Sequence, residues 1–363
     1  MMTIPATADD FTPDWLNQAL AIQLDGAKVT ACHARKSDIP GQTAEVIMMD
    51  VSYDRDTELP GKMVAKVTSE DPIILSNLIA FYDQYRRETS FYREFPDVGI
   101  SVPQCLFEAH NPETQEFVLL MGDLAPAASP SWAINTEQVE LALSALPSFH
   151  ARWWNHPELR QKDWMVQYDE VPFYAAAFEA AKRGALTAAA YYDDLESTIA
   201  AMRYAHENQD KLLAWTSTRP FTFVHGDYHA KQMFFPTNAG GEFSVIDWQF
   251  PFVAAGPWDF ARLEGMCLET HDRRAIEPKL MAAYLEGLKT SGVTDYSKSD
   301  FEADYRYGLF ISQVIMSVAH ADTDVRLFEA ECGGLGVDWK DAMLVRTQSA
   351  MQDWNVVDFL KQL

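Results

Sequence analysis

The sequence predicts an α+β protein with two lobes: a small antiparallel sheet with one helix, followed by a larger and mainly helical part. From about residue 27 to residue 121, short apolar runs alternate with turn residues, as they do in a sheet. After Gly122, long segments carry apolar residues at helical spacing. The chain has 363 residues, enough for two lobes with a substantial core.

Residues 1–122 carry the strand signals. Three runs have the length and composition of strands, namely 44–53, 62–67 and 116–121, with turn residues between them. One segment, about 74–95, instead has apolar residues at helical spacing. We therefore predict a small antiparallel sheet with one helix as the first lobe.

Residues 123–363 carry the helix signals. Helical patterns cover 136–154, 171–183, 189–215, 273–291 and 299–319. Ser299 and Glu302 have the spacing of a capping box at the last of these helices, and Gly292 is expected to end the helix before it. Strand-like runs return only within 221–248. Because the chain has no repeat and no low-complexity linker, we predict a short hinge at about 121–124.

Composition and charge restrict the partners. Hydrophobic residues make up 48% and charged residues 23%, which is typical of a globular protein. The 53 acidic and 29 basic residues give a formal net charge of −24. This charge repels nucleic acid and anionic membranes, so we expect neither as a partner. It is compatible with a cationic or neutral small substrate, although a role in solubility alone is the favoured interpretation.

The cysteines and the apolar stretches indicate the compartment. Four scattered cysteines without a Cys-x-x-Cys pair argue against a zinc site or a disulfide scaffold, and favour a reducing environment. The first eleven residues lack the apolar core of a signal peptide, and the longest apolar stretch, near 309–318, is too short to span a bilayer. We expect a cytoplasmic protein.

The most informative motif is His225-Gly226-Asp227-Tyr228-His229-Ala230-Lys231-Gln232, followed by Asp247-Trp248-Gln249. Phosphoryl transfer requires a residue that positions the attacking hydroxyl, and oxygen ligands for magnesium on the phosphates. Asp227 suits the first role and Asp247 the second. The alternative is that Asp227 is an ordinary loop residue and Asp247 an ordinary hairpin residue.

Lys66 and Glu88 extend the motif into the first lobe. Lys66 lies in a strand pattern between Ala65 and Val67, where an unpaired buried ammonium is unfavourable. Glu88, on the predicted helix, is its natural partner, and such a pair positions the α and β phosphates in kinase-type sites. An exposed lysine beside a surface glutamate is the alternative. Gly41, in the loop 40–44, could cover the phosphates or belong to a simple hairpin turn.

Together these residues resemble the aminoglycoside phosphotransferase and choline kinase superfamily, whose members have a kinase-like fold. The resemblance covers about residues 40–263, and it is carried by Lys66, Glu88-Thr89-Ser90-Phe91-Tyr92, Phe149-His150-Ala151-Arg152-Trp153-Trp154, the 225–232 motif, Asp247-Trp248-Gln249 and Gly256-Pro257-Trp258-Asp259-Phe260-Ala261. The chain is more similar to uncharacterised bacterial members and ecdysteroid-kinase-like relatives than to the drug-resistance enzymes.

The resemblance implies a phosphotransferase that uses ATP and Mg²⁺ and acts on a hydroxyl of a small molecule. Asp227 is then the catalytic aspartate and Asp247 a magnesium ligand, while Lys66 and Glu88 hold the phosphates. The main chain from Met121 to Asp123 is expected to meet the nucleobase. His225 and Asp259 are expected to brace the catalytic loop, Asp259 through main-chain amides.

Gln232 departs from the family pattern. The family has asparagine five residues after the aspartate, as the second metal ligand, whereas glutamine carries the same amide oxygen on a longer side chain. A catalytically weak kinase-like protein that binds nucleotide or ligand and regulates a partner is therefore the alternative function.

Other polar residues have weaker signals. His229 could touch phosphate or substrate, but a position at the loop surface is favoured, and Lys231 could neutralise phosphate charge or face solvent. The acidic residues Glu264, Glu269 and Asp272 could receive a cationic substrate, or form a solvated helix face.

Overall fold

The computed structural model describes residues 2–37, 43–72, 75, 82–124, 132–237, 241–322, 324–334 and 336–363. The chain divides into two compact units. The first comprises residues 1–128 and 236–250, and the second comprises residues 129–235 and 251–363. The boundary expected from the sequence, between residues 122 and 123, stays a prediction.

The first unit contains a five-stranded antiparallel sheet in the order β1-β2-β3-β5-β4. Its elements are α1 (Pro13–Ala19), β1 (Val29–Lys36), β2 (Ala44–Tyr53), β3 (Lys62–Thr68), α2 (Gln84–Glu94), β4 (Cys105–His110) and β5 (Phe117–Gly122). The three strands predicted from the sequence are confirmed as β2, β3 and β5. Of the helix predicted at 74–95, α2 is present, and residues 74 and 76–81 lie outside the described residues.

The two faces of this sheet bury different side chains. On β3, Met63, Ala65 and Val67 are fully buried in an apolar core that also includes Leu16 of α1. Because strand side chains alternate, Lys66 lies on the opposite face. There α2 packs, with Tyr85 stacked on Phe117 at 3.8 Å between ring centroids. The strand pattern thus places one lysine beside a buried helix.

The second unit is mainly helical. Its helices are α3 (Thr136–Arg152), α4 (Val171–Ala188), α5 (Glu196–Glu207), α6 (Gln209–Thr216), α7 (Pro257–Cys267), α8 (Thr270–Thr290), α9 (Lys298–Asp322), α10 (Val325–Gly333), α11 (Arg346–Asp353) and α12 (Val356–Gln362). Its strands are β6 (Val166–Gln167), β7 (Thr222–Val224), β8 (Met233–Phe234) and β10 (Phe252–Ala254); β9 (Ser244–Val245) belongs to the first unit. In the small sheet, β10 is antiparallel to β7 and parallel to β6.

The single helix predicted at 189–215 is wrong, because the chain forms two helices there. Asn208, with φ of −128°, ends α5 and precedes α6. The segment 189–195 is not helical, and the Asp194 carboxylate accepts a hydrogen bond from the N–H of Glu196. An aspartate that bonds a backbone N–H in this way favours a helix start over a helix interior.

The cap of α9 also differs from the prediction. Ser297 and Asp300 form the reciprocal cap, since the Asp300 N–H donates to Ser297 Oγ and the Ser297 N–H donates to the Asp300 carboxylate. The predicted pair, Ser299 and Glu302, is two residues too late. Gly292 does end the helix before it, with φ of +102°, as predicted.

Two features fix the helical core. Gly184 of α4 lies so close to α9 that a Cβ atom there would collide with the carbonyl group of Ser317. All eleven residues of α7 are buried.

Among the described residues, no helix is long and apolar enough to cross a membrane.

Candidate functional site

Lys66 joins two carboxylates within the first unit. Its Nζ lies 2.7 Å from Oε1 of Glu88 and 2.6 Å from Oδ1 of Asp247. The side chains are 15%, 3% and 18% exposed respectively, so the three charges are largely removed from water. The structure therefore brings together three residues that the sequence places far apart, from β3, from α2 and from the turn after β9.

A second set of contacts fixes Asp247. Its backbone has φ of +68°, an unusual value for a residue with a side chain. Gln249 donates from Nε2 to Oδ2 of Asp247 at 3.1 Å and accepts the Thr43 hydroxyl at 2.9 Å. Trp248 is fully buried and stacks on Phe91 of α2 at 4.2 Å with an interplanar angle of 4°. Each carboxylate oxygen of Asp247 therefore accepts a hydrogen bond, Oδ1 from Lys66 and Oδ2 from Gln249.

Burial and charge act against each other in this cluster. Burial alone would lower the pKa of Lys66, but Asp247 and Glu88 outweigh it and raise that pKa above its usual value. Burial raises the pKa of Glu88, opposed by the ammonium of Lys66. Lys66 is therefore a permanent cation between two carboxylates.

The expected nucleobase contacts lie at the end of β5. Met121 is buried, while the N–H groups of Gly122 and Asp123 already donate to the carbonyls of Gln104 and Lys62. A nucleobase that used either N–H would have to replace an existing hydrogen bond. Gly41, the expected phosphate-loop residue, lies outside the described residues.

Asp259 braces the 225–232 loop in the second unit, as predicted. It is fully buried, and its two oxygens accept the N–H groups of His225 at 2.7 Å and Gly226 at 2.9 Å. The N–H of Asp227 in turn donates to Nδ1 of His225 at 3.3 Å. Gly226 has φ of +81°, which a residue with a Cβ would adopt only with strain. The loop at Asp227 is therefore fixed through its backbone.

The carboxylate of Asp227 is surrounded by donors. Arg262, on α7, donates to Oδ1 from Nη2 at 2.7 Å and from Nε at 3.1 Å. At Oδ2, His229 Nε2 lies 3.3 Å away and Gln232 Nε2 lies 3.5 Å away. Because Gln232 points its nitrogen at Asp227, its amide oxygen remains available as an acceptor or ligand.

These donors keep Asp227 ionised. Burial alone would raise the pKa of Asp227, but His229 and Arg262 together hold it well below its usual range. Burial lowers the pKa of His229, opposed by the carboxylate of Asp227. Its Nδ1 accepts the N–H of Lys231 at 3.3 Å, which assigns the proton to Nε2, the nitrogen beside Asp227.

The surface position expected for His229 is wrong. The residue is 5% exposed, and its ring stacks on Trp132 at 4.8 Å with an interplanar angle of 10°. Lys231 extends over the same indole, with Nζ 5.2 Å from the ring centroid. The ring of His229 therefore contacts Trp132 and Asp227 instead of solvent.

The three acidic residues that could receive a cationic substrate differ in their burial. Glu264 is fully buried and accepts the Tyr305 hydroxyl at 2.7 Å, and burial raises its pKa well above the usual value. Glu264 is therefore not part of a solvated helix face. Glu269 and Asp272 are exposed.

The sequence also matches a known family. A model described as the phosphotransferase enzyme family matches residues 59–298. The chain belongs to this family. The matched segment contains Lys66, Glu88, Asp227 and Asp247, the residues at the centre of the two clusters. A search of curated proteins found no match.

Solved structures show the same fold as this family member. A putative aminoglycoside phosphotransferase from Ralstonia eutropha JMP134 is 12% identical with a TM-score of 0.50, covering 96% of this chain and 97% of that one. The choline kinase LicA from Streptococcus pneumoniae is 13% identical with a TM-score of 0.50, covering 96% and 97%. A choline kinase from Cryptosporidium parvum Iowa II is 11% identical with a TM-score of 0.50, covering 97% and 93%. The predicted kinase-like α+β fold and superfamily are confirmed.

Sequence reasoning missed Arg262 as a partner of Asp227. A signal was present, because Arg262 follows Asp259 by three residues on one helix, and residues at this spacing share a face. Since Asp259 was expected to contact the loop that carries Asp227, the same helix face should also have placed Arg262 next to that loop.

Proposed function

We propose that this protein is a small-molecule kinase that transfers the γ-phosphoryl group of ATP, with Mg²⁺, to a hydroxyl group. The observation that carries this proposal is Lys66, a buried cation held at 2.7 Å from Glu88 and 2.6 Å from Asp247. A lysine fixed by a helix glutamate is the phosphate-binding arrangement of kinase-type sites. Lys66, held in place by Glu88, contacts the phosphates, and the main chain from Met121 to Asp123 meets the nucleobase.

Asp227 orients the acceptor. In the reaction, a bond forms between the acceptor oxygen and the γ-phosphorus, and the bond from that phosphorus to the β,γ-bridging oxygen breaks with its electron pair leaving on ADP. The acceptor hydroxyl donates to Asp227, which takes the proton late and releases it to solvent. An ionised carboxylate with strong donors is a weak base, and it suits this orienting role.

Asp247 and Gln232 would hold the magnesium ion. Each supplies a hard oxygen ligand of the kind that magnesium prefers, a carboxylate oxygen from Asp247 and an amide oxygen from Gln232. When bound, the ion neutralises charge on the β- and γ-phosphates. The proposed ligands are one carboxylate and one amide, and among the described residues no larger group, of three or more His, Cys, Asp or Glu side chains, could hold a metal ion.

Net charge and family membership support our proposal for the acceptor class. The similar solved structures include choline kinases and a putative aminoglycoside phosphotransferase, and the net charge of −24 is compatible with a cationic substrate. We propose a small hydroxylated acceptor, with choline and aminoglycosides as the first candidates. We place the protein in the cytoplasm, with residues 1–122 as the nucleotide-binding lobe and 123–363 as the catalytic and acceptor lobe.

Calorimetric titration of ATP, with and without Mg²⁺, tests the nucleotide site. The wild type should bind ATP more tightly with Mg²⁺ present, and Asp247→Asn should lose this difference. Asp50→Asn, at an exposed residue of β2, is the matched control and should retain it. ATP consumption with an acceptor panel then tests transfer, which Asp227→Asn should abolish while ATP still binds.

Gln232 supports the second candidate, a nucleotide-binding regulator with little catalysis. Its side chain replaces the family asparagine, and its nitrogen contacts Asp227 at 3.5 Å. Gln232→Asn distinguishes the two functions. A wild type without magnesium-dependent ATP binding, together with an asparagine variant that gains it, favours the regulator. Magnesium-dependent turnover by the wild type favours the kinase.

A further inference from the structure

We propose that Arg262 is a positioning residue for catalysis: it engages Oδ1 of Asp227 with two N–H groups and so presents Oδ2 to the acceptor hydroxyl. This inference rests on the proposed kinase function. It assigns a role to an arginine that lies 35 residues beyond the aspartate and outside the 225–232 motif.

The first support is the unequal use of the two oxygens of Asp227. Both Arg262 contacts, at 2.7 and 3.1 Å, converge on Oδ1. The contacts at Oδ2 are longer, 3.3 Å to His229 and 3.5 Å to Gln232. Since short charge-assisted hydrogen bonds are the strong ones, Oδ1 is committed to Arg262, and Oδ2 is the oxygen on which a hydroxyl can compete.

The second support is that Arg262 is itself fixed. Its side chain is 4% exposed, and Nη1 donates to the carbonyl and hydroxyl oxygens of Ser312 at 3.4 and 3.3 Å. The planar guanidinium therefore links α9 to Asp227 in one orientation. A lysine at this position has no such fork and could not make both sets of contacts.

The third support is the helix that carries Arg262. On α7, Asp259 accepts the N–H groups of His225 and Gly226, and Sγ of Cys267 accepts the N–H of Ala230 at 3.3 Å. Arg262 lies between these two anchors in sequence. The helix thus holds the loop backbone on both sides of Asp227. Arg262 in addition fixes the rotation of the Asp227 carboxylate.

The test compares Arg262→Gln and Arg262→Lys with the wild type and with a matched control, Arg219→Gln. Arg219 is also largely buried and pairs with Asp304 of α9 at 2.7 Å, but it does not contact the catalytic loop. Thermal unfolding and circular dichroism establish folding at the assay temperature. ATP affinity comes from calorimetry, and turnover comes from ATP consumption with and without acceptor.

We expect kcat of Arg262→Gln to fall about 100-fold, the scale associated with a small misplacement of a reacting group, with ATP affinity unchanged. Arg262→Lys should recover part of kcat. In the Asp227→Asn background, adding Arg262→Gln should not lower kcat further, because Arg262 acts only through the carboxylate that Asp227→Asn has already removed. If Arg262→Gln does not fold, Ser312→Ala, which removes only the hydroxyl anchor, should still lower kcat with ATP affinity unchanged.

Three results would overturn this role. Arg262→Gln could keep wild-type kcat, it could lose no more than Arg219→Gln, or it could lose ATP affinity and kcat together. In the event that Arg262→Gln does not fold, unchanged kcat in Ser312→Ala has the same meaning. If the wild type itself neither consumes ATP nor binds it, the kinase function fails and Arg262 loses its role with it.

Discussion

Gln249 donates its side-chain amide to Oδ2 of Asp247 at 3.1 Å, while Lys66 occupies Oδ1 at 2.6 Å. The same glutamine accepts the hydroxyl of Thr43, and the carbonyl of Thr43 accepts the hydroxyl of Tyr85 at 2.7 Å. The proposed metal ligand is therefore oriented by a chain of hydrogen bonds that begins on α2.

Gln249→Leu tests this orientation. Partners that orient a metal ligand are typically worth 10 to 100-fold, so we expect magnesium-dependent ATP affinity to fall by about tenfold. Thr43→Val should cause a smaller loss in the same calorimetric measurement. Gln23→Leu is the control, because Gln23 donates to Leu106 within the same unit and contacts no residue of the Lys66 cluster. Equal affinities in all three variants would show that Gln249 does not orient Asp247 for the metal.

Lys66→Met should strongly destabilise the protein. It leaves Glu88 and Asp247 as buried carboxylates without their cation, and breaking a buried pair costs about 3 to 5 kcal/mol. Denaturant unfolding measures this loss. Adding Glu88→Gln should restore part of it, because one uncompensated charge is then removed.

The control for Lys66 lies on the same strand. Lys62 pairs with Asp50 at 2.7 Å, but both side chains are exposed, so Lys62→Met should leave the unfolding midpoint nearly unchanged. Similar losses at Lys62 and Lys66 would contradict the importance of the buried pair.

Glu264 should make stability depend on pH. Burial and the nearby Glu277 raise its pKa, opposed by the Tyr305 hydroxyl. Below about pH 4, the carboxyl is protonated in both the folded and unfolded states. As pH rises further, the unfolded state releases the proton while the folded state retains it, so stability falls until the pH exceeds the folded pKa.

Glu264→Gln removes that dependence and keeps an acceptor for Tyr305. The difference in Tm between Glu264→Gln and the wild type should therefore move in favour of the variant between pH 4.5 and 8. Glu269→Gln, at an exposed residue nearby, should show no such trend. A difference for Glu264→Gln that stays constant over this range would indicate a carboxyl with an ordinary pKa.

Gly184→Ala should disturb the contact between α4 and α9. The new methyl group would meet the backbone of Ser317, which cannot move without the helix, and overpacking costs about 1 to 3 kcal/mol. Gly333→Ala in α10 meets no atom within 4 Å and should be neutral or slightly stabilising. Thermal unfolding of the two variants should separate them by several degrees. Equal Tm values would mean that the two helices can separate at little cost.

Local patterns predicted much of this molecule. Lys66 could be recognised because an ammonium between two apolar strand residues needs a partner, and Glu88 followed on a helix. The positions of β2, β3 and β5 followed from strand composition and turn residues. The resemblance located Asp259 beneath the catalytic loop.

Other features depend on contacts that are distant in sequence. His229 resembles any loop histidine until Trp132 covers its ring. The spacing of Arg262 from Asp259 places it on the loop side of α7, but only the fold brings it to the carboxylate of Asp227. The cap of α9 is a local feature, and it was misplaced because Ser297 and Ser299 are each followed three residues later by an acidic residue, Asp300 and Glu302. The joint between α5 and α6 had no glycine or proline to mark it.

The complete burial of α7 has a kinetic consequence for the loop that it holds. The N–H groups of His225 and Gly226 donate to Asp259 in the interior, so neither can reach water by fraying of a helix end. Their exchange with solvent deuterium then requires cooperative unfolding of the second unit, and should be as slow as that of its core. The conformation of the loop at Asp227 should accordingly persist to the temperature at which that unit unfolds.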